Sequence, residues 1–463
     1  MQALSDVDAF LRSNFAQLVA ARGVPGAVVA VLHDGDVVDH AAGVLSTATQ
    51  VETTPDSVFQ IGSITKVWTA TLVMQLVDDG LLDLDAPIKH YLPAFRLADD
   101  AAASTVTARQ LLSHQAGFEG DAFTDTGRGD DAIEKFLATI IDLPQLLAPG
   151  EFFSYNNAAF SVLGRLVEVL REKTWAAATM EDIAIPLGLA HVAPSAYEAV
   201  LFRAAVGHLG AGENGVEVAT PVWALAKSNE PAGSMFAMRA RDLVVFAKMH
   251  LDGGVAANGT RVLSASSVRA MQEKQIDLPR LAVAGDAWGL GWKIVVDGSP
   301  SVIGHDGGTI GQSAFLRVIP EAELVVAMVA NGGDVMGLFD DVVKKIVRDA
   351  GGVELPGLPT PPADTIDVDV APILGLCSNG TFDMTIALDE DGRMWLDSIP
   401  KTTMVAAGHE PEHVELVGLG PNALIAARPT MNRTHRVVSF IGDNGSGRHS
   451  FLYSYGRAIA RAD

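Results

Sequence analysis

The segment FQIGSITKVWTATLVMQLVDDG, residues 59–80, decides how the rest of this sequence is interpreted. An extended stretch leads into a long apolar-periodic helix that ends at Gly80, and Ser63 and Lys66 lie where that helix begins. Residues three apart share one face of a helix, so the Lys66 amine is predicted to project over the Ser63 hydroxyl. The segment therefore predicts either a serine nucleophile activated by lysine or a helix-capping serine beside a solvated lysine.

The spacing Ser-x-x-Lys is weak evidence by itself, because it also occurs at Ser398–Lys401 in the segment SIPK. That second match contains Pro400 and lies between strand-like runs, which predicts a loop. The first match opens a helix, whose unpaired N–H groups could stabilise an oxyanion. Structural context thus favours Ser63 over Ser398 as a nucleophile.

The bulk composition of the 463 residues is that of a globular protein with a large core. Hydrophobic residues make up 48% and charged residues 19% of the chain, and the length predicts two or three domains. The formal net charge of −23 disfavours nucleic acid and anionic membrane surfaces as partners, and its simplest role is solubility.

Three features of the sequence predict a cytoplasmic location. The N-terminal segment has neither a basic start nor an apolar core typical of a secretory signal. No apolar run approaches the roughly 20 residues that span a bilayer. The single cysteine, Cys377, excludes an intrachain disulfide and is compatible with a reducing compartment.

The first 350 residues predict an α+β domain. Two β-branched runs flank Asp34-Gly35 and predict a hairpin. Strand-like runs return after residue 290, and helices are predicted at 63–80, 108–113, 131–141, 158–172, 241–251 and 338–349. This order suggests an antiparallel sheet whose first and last strands meet, flanked by helices.

A linker rich in proline and glycine, residues 351–365, separates this domain from the C-terminal part. From residue 366 to 463 the chain consists almost entirely of short strand-like runs with turns about 8–12 residues apart, a spacing typical of a small sandwich or barrel.

Two further stretches place polar residues at predicted element ends. EFFSYNNAAFSVLG puts Tyr155 and Asn157 at the mouth of a helix, and VIGHDGGTIG puts His305 on a strand whose glycines permit close approach of a ligand. With Ser63-x-x-Lys66, the patterns Tyr155-x-Asn157 and His305-x-Gly resemble the three signatures of the serine β-lactamase and penicillin-binding-protein superfamily.

This resemblance covers roughly residues 10–350, and it is closest to the class C β-lactamase, D-aminopeptidase and esterase branch. It implies an acyl-enzyme mechanism in which Ser63 attacks a carbonyl carbon and Lys66, held uncharged by its surroundings, takes the proton. Tyr155 would pass protons between the nucleophile, Lys66 and the leaving group. Asn157 would hydrogen-bond a substrate amide and restrain Lys66.

The same resemblance assigns the strand around His305 to catalysis and substrate binding. Asp306, Gly307 and Gly308 would line the substrate, and the backbone N–H groups of Ser63 and Gly308 would form the oxyanion hole. No metal or cofactor is implied. His305 stands where β-lactamases and cell-wall peptidases usually carry the lysine of Lys-Thr-Gly. A neutral imidazole binds an anion poorly, so β-lactam turnover is disfavoured.

Within the family, the penicillin-binding-protein-type thioesterases resemble this chain most, because they combine these motifs with one C-terminal lipocalin-like barrel. They release nonribosomal peptides and cyclise them head to tail. The resemblance implies a peptide or peptidyl-thioester substrate with a D-residue at the acyl-donor end, which a peptidyl carrier protein could present. A cytosolic D-stereospecific peptidase, amidase or carboxylesterase is the alternative, and a non-catalytic peptide-binding descendant is a second. The oligomeric state stays open.

Two remaining features have simpler interpretations. The segment HEPEH, His409–His413, matches a zinc-binding pattern that works only on a helix, and Pro411 lies within it. The C-terminal domain would either act as an independent carrier of a lipid or metabolite or wall off part of the catalytic cleft; the second is the expectation.

Overall fold

The computed structural model describes residues 2–211, 217–279, 285–364, 366–406, 410–430, 434–443 and 445–462. The helices along the chain are α1 (Gln2–Ala21), α2 (Thr65–Asp78), α3 (Ile88–Tyr91), α4 (Asp100–Thr105), α5 (Ala108–Leu112), α6 (Ala132–Thr139), α7 (Asn157–Arg171), α8 (Trp175–Thr179), α9 (Ala196–Ala199), α10 (Ala240–Leu251), α11 (Ala265–Gln272), α12 (Val335–Phe339), α13 (Lys345–Gly351) and α14 (Thr402–Ala406).

The strands before the linker are β1 (Gly26–His33), β2 (Asp36–Gly43), β3 (Phe59–Gln60), β4 (Val192–Ala193), β5 (His208–Ala211), β6 (Glu217–Ala219), β7 (Ala237–Met238), β8 (Ile276–Asp277), β9 (Ala287–Trp288), β10 (Lys293–Val296), β11 (Val302–Gly308), β12 (Ser313–Ile319) and β13 (Leu324–Ala330). Those after it are β14 (Gly375–Ser378), β15 (Phe382–Leu388), β16 (Met394–Pro400), β17 (Glu412–Gly420), β18 (Ala423–Ala426), β19 (Val437–Ile441), β20 (Phe451–Ser454) and β21 (Arg457–Arg461).

Eight of the described strands form the main antiparallel sheet, in the order β2-β1-β13-β12-β11-β10-β9-β8. The predicted hairpin is present, with His33 opposite Asp36. The first strand also pairs with the last, from Ala27 opposite Ala330 to His33 opposite Leu324. The predicted meeting of first and last strands is confirmed.

The sheet is covered on both faces, which explains the continuous apolar runs of β1 and β13. Successive side chains of a strand point to opposite faces, and Val28 and Val29 accordingly belong to two different clusters. One cluster includes α1 and α13; the other includes α2 and α10, where Trp68 stacks on Phe246 with ring centroids 4.2 Å apart. The predicted helix at 338–349 begins earlier, at Val335, and contains a π turn between α12 and α13.

After α13, the described residues up to Leu374 form neither helix nor strand, and the chain then enters a closed barrel of the eight strands β14–β21. Apolar side chains fill the barrel interior, including Cys377, Met384, Leu424 and Leu452. Among the described residues, no helix is long and apolar enough to cross a membrane.

The second Ser-x-x-Lys match is not a loop as predicted, because Ser398 lies within β16. The Lys401 amine donates to the Ser378 hydroxyl at 2.9 Å and to the Asn379 carbonyl at 2.6 Å. These contacts give Lys401 a structural role in the barrel. Of the zinc-like pattern, His409 lies outside the described residues, and His413 stacks on Trp395 with centroids 4.3 Å apart.

Candidate active site

Ser63 lies in a 3₁₀ turn, Gly62–Ile64, that leads directly into α2. Close backbone approach holds this turn against β11: a Cβ on Gly307 would lie 1.9 Å from the Ile61 carbonyl oxygen and 3.1 Å from the Ser63 nitrogen. Gly62, with φ +50°, would likewise place a Cβ 2.6 Å from the Gly308 nitrogen. Glycine is required at both positions, and the arrangement brings the backbone nitrogens of the turn and of β11 together.

The Lys66 amine is fully buried and lies beside the nucleophile. Its Nζ is 3.1 Å from the Ser63 Oγ and donates to the Ala232 carbonyl at 2.6 Å. Burial lowers the pKa of Lys66 well below its ordinary value, and the Arg457 guanidinium lowers it further, while the Asp121 carboxylate opposes this. An uncharged amine in this position can accept the serine proton.

Tyr155 lies next to Lys66, whose Nζ is 5.0 Å from the centre of the phenol ring. The ring stacks on His114 at 4.2 Å and meets Trp288 edge to face at 5.9 Å. Burial raises the pKa of Tyr155, against the opposing effect of its hydrogen bond with Ser63. Tyr155 is therefore a neutral phenol at physiological pH, suited to pass a proton between neighbouring groups.

His305 lies on β11 and is buried against Trp288, with ring centroids 5.3 Å apart. Its Nδ1 is 2.7 Å from the Asp306 carbonyl oxygen, which can only accept a hydrogen bond, whereas the buried Nε2 has no partner among the described residues. Burial, together with the nearby Lys66, lowers the pKa of His305 to about 3. The neutral imidazole thus presents Nε2 as a free acceptor.

Asp306, the next residue, has its carboxylate engaged by two cations. Oδ1 accepts from Arg317 at 2.6 Å, and Oδ2 accepts from Lys293. Burial would raise the pKa of Asp306, but Arg317 and Lys293 hold it below its usual range. The carboxylate balances buried positive charge at the cavity wall.

Asn157 is the first residue of α7 and is buried, and its amide is bound by a carboxylate. Its Nδ2 donates to Asp121 Oδ1 at 2.8 Å. In the described part of the chain, the partners of the Lys66 amine are Ser63 and the Ala232 carbonyl. The Ala232 carbonyl thus restrains Lys66, and the Asp121 carboxylate restrains Asn157.

The barrel contributes one wall of the site through the turn between β20 and β21. The Tyr155 N–H donates to the Gly456 carbonyl at 2.8 Å, and the Ala458 N–H donates to the Ser154 hydroxyl at 3.2 Å. The Arg457 guanidinium lies 4.8 Å from the centre of the Tyr155 ring. A cation from the C-terminal domain thus faces the Tyr155 phenol.

These groups surround a cavity of about 340 Å³, a size within the range of small-molecule sites. Its lining comprises Ser63, Phe153, Tyr155, Trp288, Lys293, His305, Asp306, Gly308, Tyr455, Gly456 and Arg457. Five of the predicted residues line the cavity: Ser63, Tyr155, His305, Asp306 and Gly308. Lys66 and Gly307 lie next to the turn that carries Ser63.

Sequence reasoning missed Arg457, Lys293 and Asp121. No motif marks them, since each acquires its place through pairing or packing: Lys293 meets Asp306 across paired strands, and Arg457 and Asp121 are 336 residues apart. The arrangement can perform acyl transfer, because it joins a hydroxyl, an uncharged amine, a neutral phenol and backbone N–H groups around one cavity.

Comparisons with known proteins agree with this geometry. The sequence family described as beta-lactamase matches residues 11–345. Penicillin-binding protein 4 of Amycolatopsis lactamdurans is 43% identical over 367 residues, covering 79% of this chain and 96% of that protein. Esterase EstB of Burkholderia gladioli is 31% identical over 195 residues, covering 39% of this chain and 49% of the esterase.

Among solved structures, SurE is 28% identical with a TM-score of 0.79, and the match covers 99% of this chain and all of SurE. A structure of SurE with D-Leu matches with a TM-score of 0.77. The likeness therefore includes both the sheet domain and the barrel. Taken together with the match over residues 11–345, the site shows that this chain belongs to the β-lactamase family of serine hydrolases.

Proposed function

We propose that this protein releases and cyclises a peptide from a thioester or ester. The Ser63 oxygen bonds to the acyl carbon and the bond to the leaving thiol or alcohol breaks. The proton passes from Ser63 to Lys66 and through Tyr155 to the leaving group. The amino terminus of the same peptide then attacks the acyl carbon and the bond to Ser63 breaks, while the proton lost by the amine returns to the Ser63 oxygen through Lys66, which yields a head-to-tail macrocycle.

The observation that carries this proposal is the whole-length similarity to SurE, because it includes the barrel that forms one wall of the cavity. It extends the resemblance to penicillin-binding-protein-type thioesterases drawn from the motifs. The structure of SurE with D-Leu supports a D-residue at the acyl-donor end. A peptidyl carrier protein is the proposed source of the thioester.

The proposed division of roles follows the burial of each group. Lys66 is the base, since burial keeps its amine uncharged. The Ser63 and Gly308 N–H groups bind the oxyanion. They lie close together because Gly62 and Gly307 allow the backbone of the turn that carries Ser63 to approach the backbone of β11. Asn157 acts through its bond to Asp121, and Gly307 through its close approach to the nucleophile turn.

His305 favours a substrate group that donates a hydrogen bond. Its Nε2 is a buried acceptor without a partner in the described part of the chain, so an incoming amine or a substrate amide N–H would satisfy it. A substrate carboxylate would not. This polarity supports aminolysis of an uncharged acyl group over recognition of a β-lactam carboxylate.

The alternative is hydrolysis by a cytosolic esterase or D-stereospecific amidase, which the partial similarity to EstB favours. Both functions share the acyl-enzyme and differ in the acceptor. The barrel turn at Tyr455–Arg457 covers the cavity beside the nucleophile, and exclusion of water from an acyl-enzyme favours the amine.

A linear peptide N-acetylcysteamine thioester, made with either a D- or an L-residue at its acyl end, tests the proposal. We expect a product lighter than the linear acid by one water, formed faster from the D-peptide. Linear acid alone would support the hydrolase instead. Ser63→Ala is the control, since it removes the nucleophile, and unchanged turnover by this variant would overturn both functions.

A further inference from the structure

The loop between α5 and α6 contacts both the barrel and the start of α7, and it binds the barrel with two carboxylates. The Gly380 N–H of the barrel donates to Glu119, and the Arg457 guanidinium donates to Asp121 at 2.6 Å. Between them, the Gly120 carbonyl accepts from the Asn157 and Ala158 N–H groups at 3.1 and 2.9 Å. One short segment thus touches both the barrel and the start of α7.

Asp121 differs from Glu119 because one of its carboxylate oxygens also binds the start of α7. Oδ2 binds Arg457 Nε, whereas Oδ1 accepts from Asn157 Nδ2 at 2.8 Å and lies 3.4 Å from Arg457 Nη2. The Asp121 side chain is 9% exposed. A carboxylate this buried and fully engaged fixes the geometry of both partners.

Both partners of Asp121 adjoin the catalytic groups. Arg457 and Lys66 both pack against the Tyr155 ring. The guanidinium lies 4.8 Å from the ring centre, and the Lys66 amine lies 5.0 Å from it. Asn157 is two residues from Tyr155 and opens α7. The loop is pressed against this start, because a Cβ on Gly120 would lie 2.5 Å from the Asn156 Cα.

We propose that Asp121 is a positioning residue that makes docking of the barrel and assembly of the catalytic centre one event. Its carboxylate joins Arg457 of the barrel to Asn157 of α7, and Tyr155 is held between them. The barrel is then part of the catalytic machinery, although its own interior is filled. This inference rests on the proposed acyl transfer by Ser63.

The test compares Asp121→Ala with Glu119→Gln, a matched control that removes a barrel-binding carboxylate from the same loop without touching a catalytic group. Two rates are measured on the full chain: labelling of Ser63 by a fluorophosphonate, and turnover of the peptide thioester. We expect Asp121→Ala to slow both by roughly 100-fold, as misplacement of catalytic groups does. The KM of Asp121→Ala should stay within about threefold of the wild-type value, and both rates of Glu119→Gln should stay within the same range.

A double-mutant cycle separates positioning from general damage. If Asp121 acts by holding Arg457, the double variant Asp121→Ala/Arg457→Ala should label no more slowly than the slower single variant. Effects that multiply, or equal rates for Asp121→Ala and Glu119→Gln, would overturn the proposal. Asp121→Asn, which keeps an acceptor for Asn157, provides the same comparison if Asp121→Ala does not fold.

The two readouts distinguish failure of this inference from failure of the proposed function. Wild-type protein that labels at Ser63 but does not turn over the thioester would refute the proposed substrate while the labelling rates still test Asp121. Normal turnover together with equal labelling of the Asp121 and Glu119 variants would refute the positioning role alone.

Discussion

Replacing Arg457 by methionine should shift the pH range in which the enzyme works. The guanidinium is one of the groups that lower the pKa of Lys66, after burial itself. Methionine keeps much of the apolar stem and removes the charge. The base would then bind its proton more tightly, so the acid limb of the kcat/KM profile should move to higher pH.

The size of the effect follows from the geometry around Tyr155. The Lys66 amine and the Arg457 guanidinium lie 5.0 and 4.8 Å from the ring centre, so the two charges are less than about 10 Å apart. At an effective dielectric constant of about 20, like charges at that distance repel by roughly 1.7 kcal/mol. This is about a 15-fold change in the protonation equilibrium of Lys66, and Asp121, left without its cation, would add to it.

The assay is kcat/KM against pH for a peptide thioester, or the labelling rate of Ser63 by a fluorophosphonate. Arg457→Lys is the control. It keeps the positive charge, so the acid limb of its pH profile should lie near that of the wild type. Other groups facing Lys66 do not titrate in the same range: burial lowers the pKa of His114 and of His305 and raises that of Tyr155. An unchanged limb in a folded Arg457→Met variant would refute the electrostatic role of Arg457.

Three further variants test other parts of the account. Tyr155→Phe keeps the ring and removes the hydroxyl, so kcat should fall by about 100-fold or more at a similar KM, as expected for a lost proton relay; an unchanged kcat would remove Tyr155 from the mechanism. Gly307→Ala would place a methyl group 1.9 Å from the Ile61 carbonyl, so Ser63 labelling should drop at least tenfold, whereas Gly298→Ala, which meets ordinary contacts, should label normally. Burial raises the pKa of Glu230 to about 8, so the folded chain loses stability as pH rises from about 4.5 towards 8; in Glu230→Gln the thermal midpoint should fall less between pH 6 and pH 9, and an equal fall in both proteins would contradict this.

Local sequence patterns predicted those parts of the fold that depend on residues close together in the chain. The turn Asp34-Gly35 joins β1 and β2 as expected, and the strand-like character predicted after residue 366 is found in strands such as β15, Phe382–Leu388. Lys66 lies over Ser63 because helical geometry fixes side chains three residues apart. These features depend on neighbours in sequence, which is why the sequence was sufficient.

The barrel after the linker and its place beside the cleft were expected and are found, but the residue through which it reaches the site could not be predicted from the sequence. Short strand-like runs were evident after the linker, whereas β14 and β21 are short and lack a strong apolar alternation. The strand missed at the C-terminus is the one that carries Arg457. Its importance arises from docking against Asp121 and Tyr155, a contact that no local pattern indicates.

The direction of the Asn157 side chain depends on the same contact. The motif predicted its place at the mouth of α7, where it is found. Its amide is directed to Asp121 because a buried carboxylate that also binds Arg457 lies within hydrogen-bond distance. The identity of that partner is set by tertiary packing of the barrel.

The most direct test of the central claim is the intact mass of the protein shortly after mixing with a D-ended peptide thioester. We expect an increase equal to the mass of the acyl group, located by digestion on the peptide containing Ser63 and absent from Ser63→Ala. We also expect the adduct to decay as product appears. Product formed by Ser63→Ala, or an adduct on another residue, would contradict the claim.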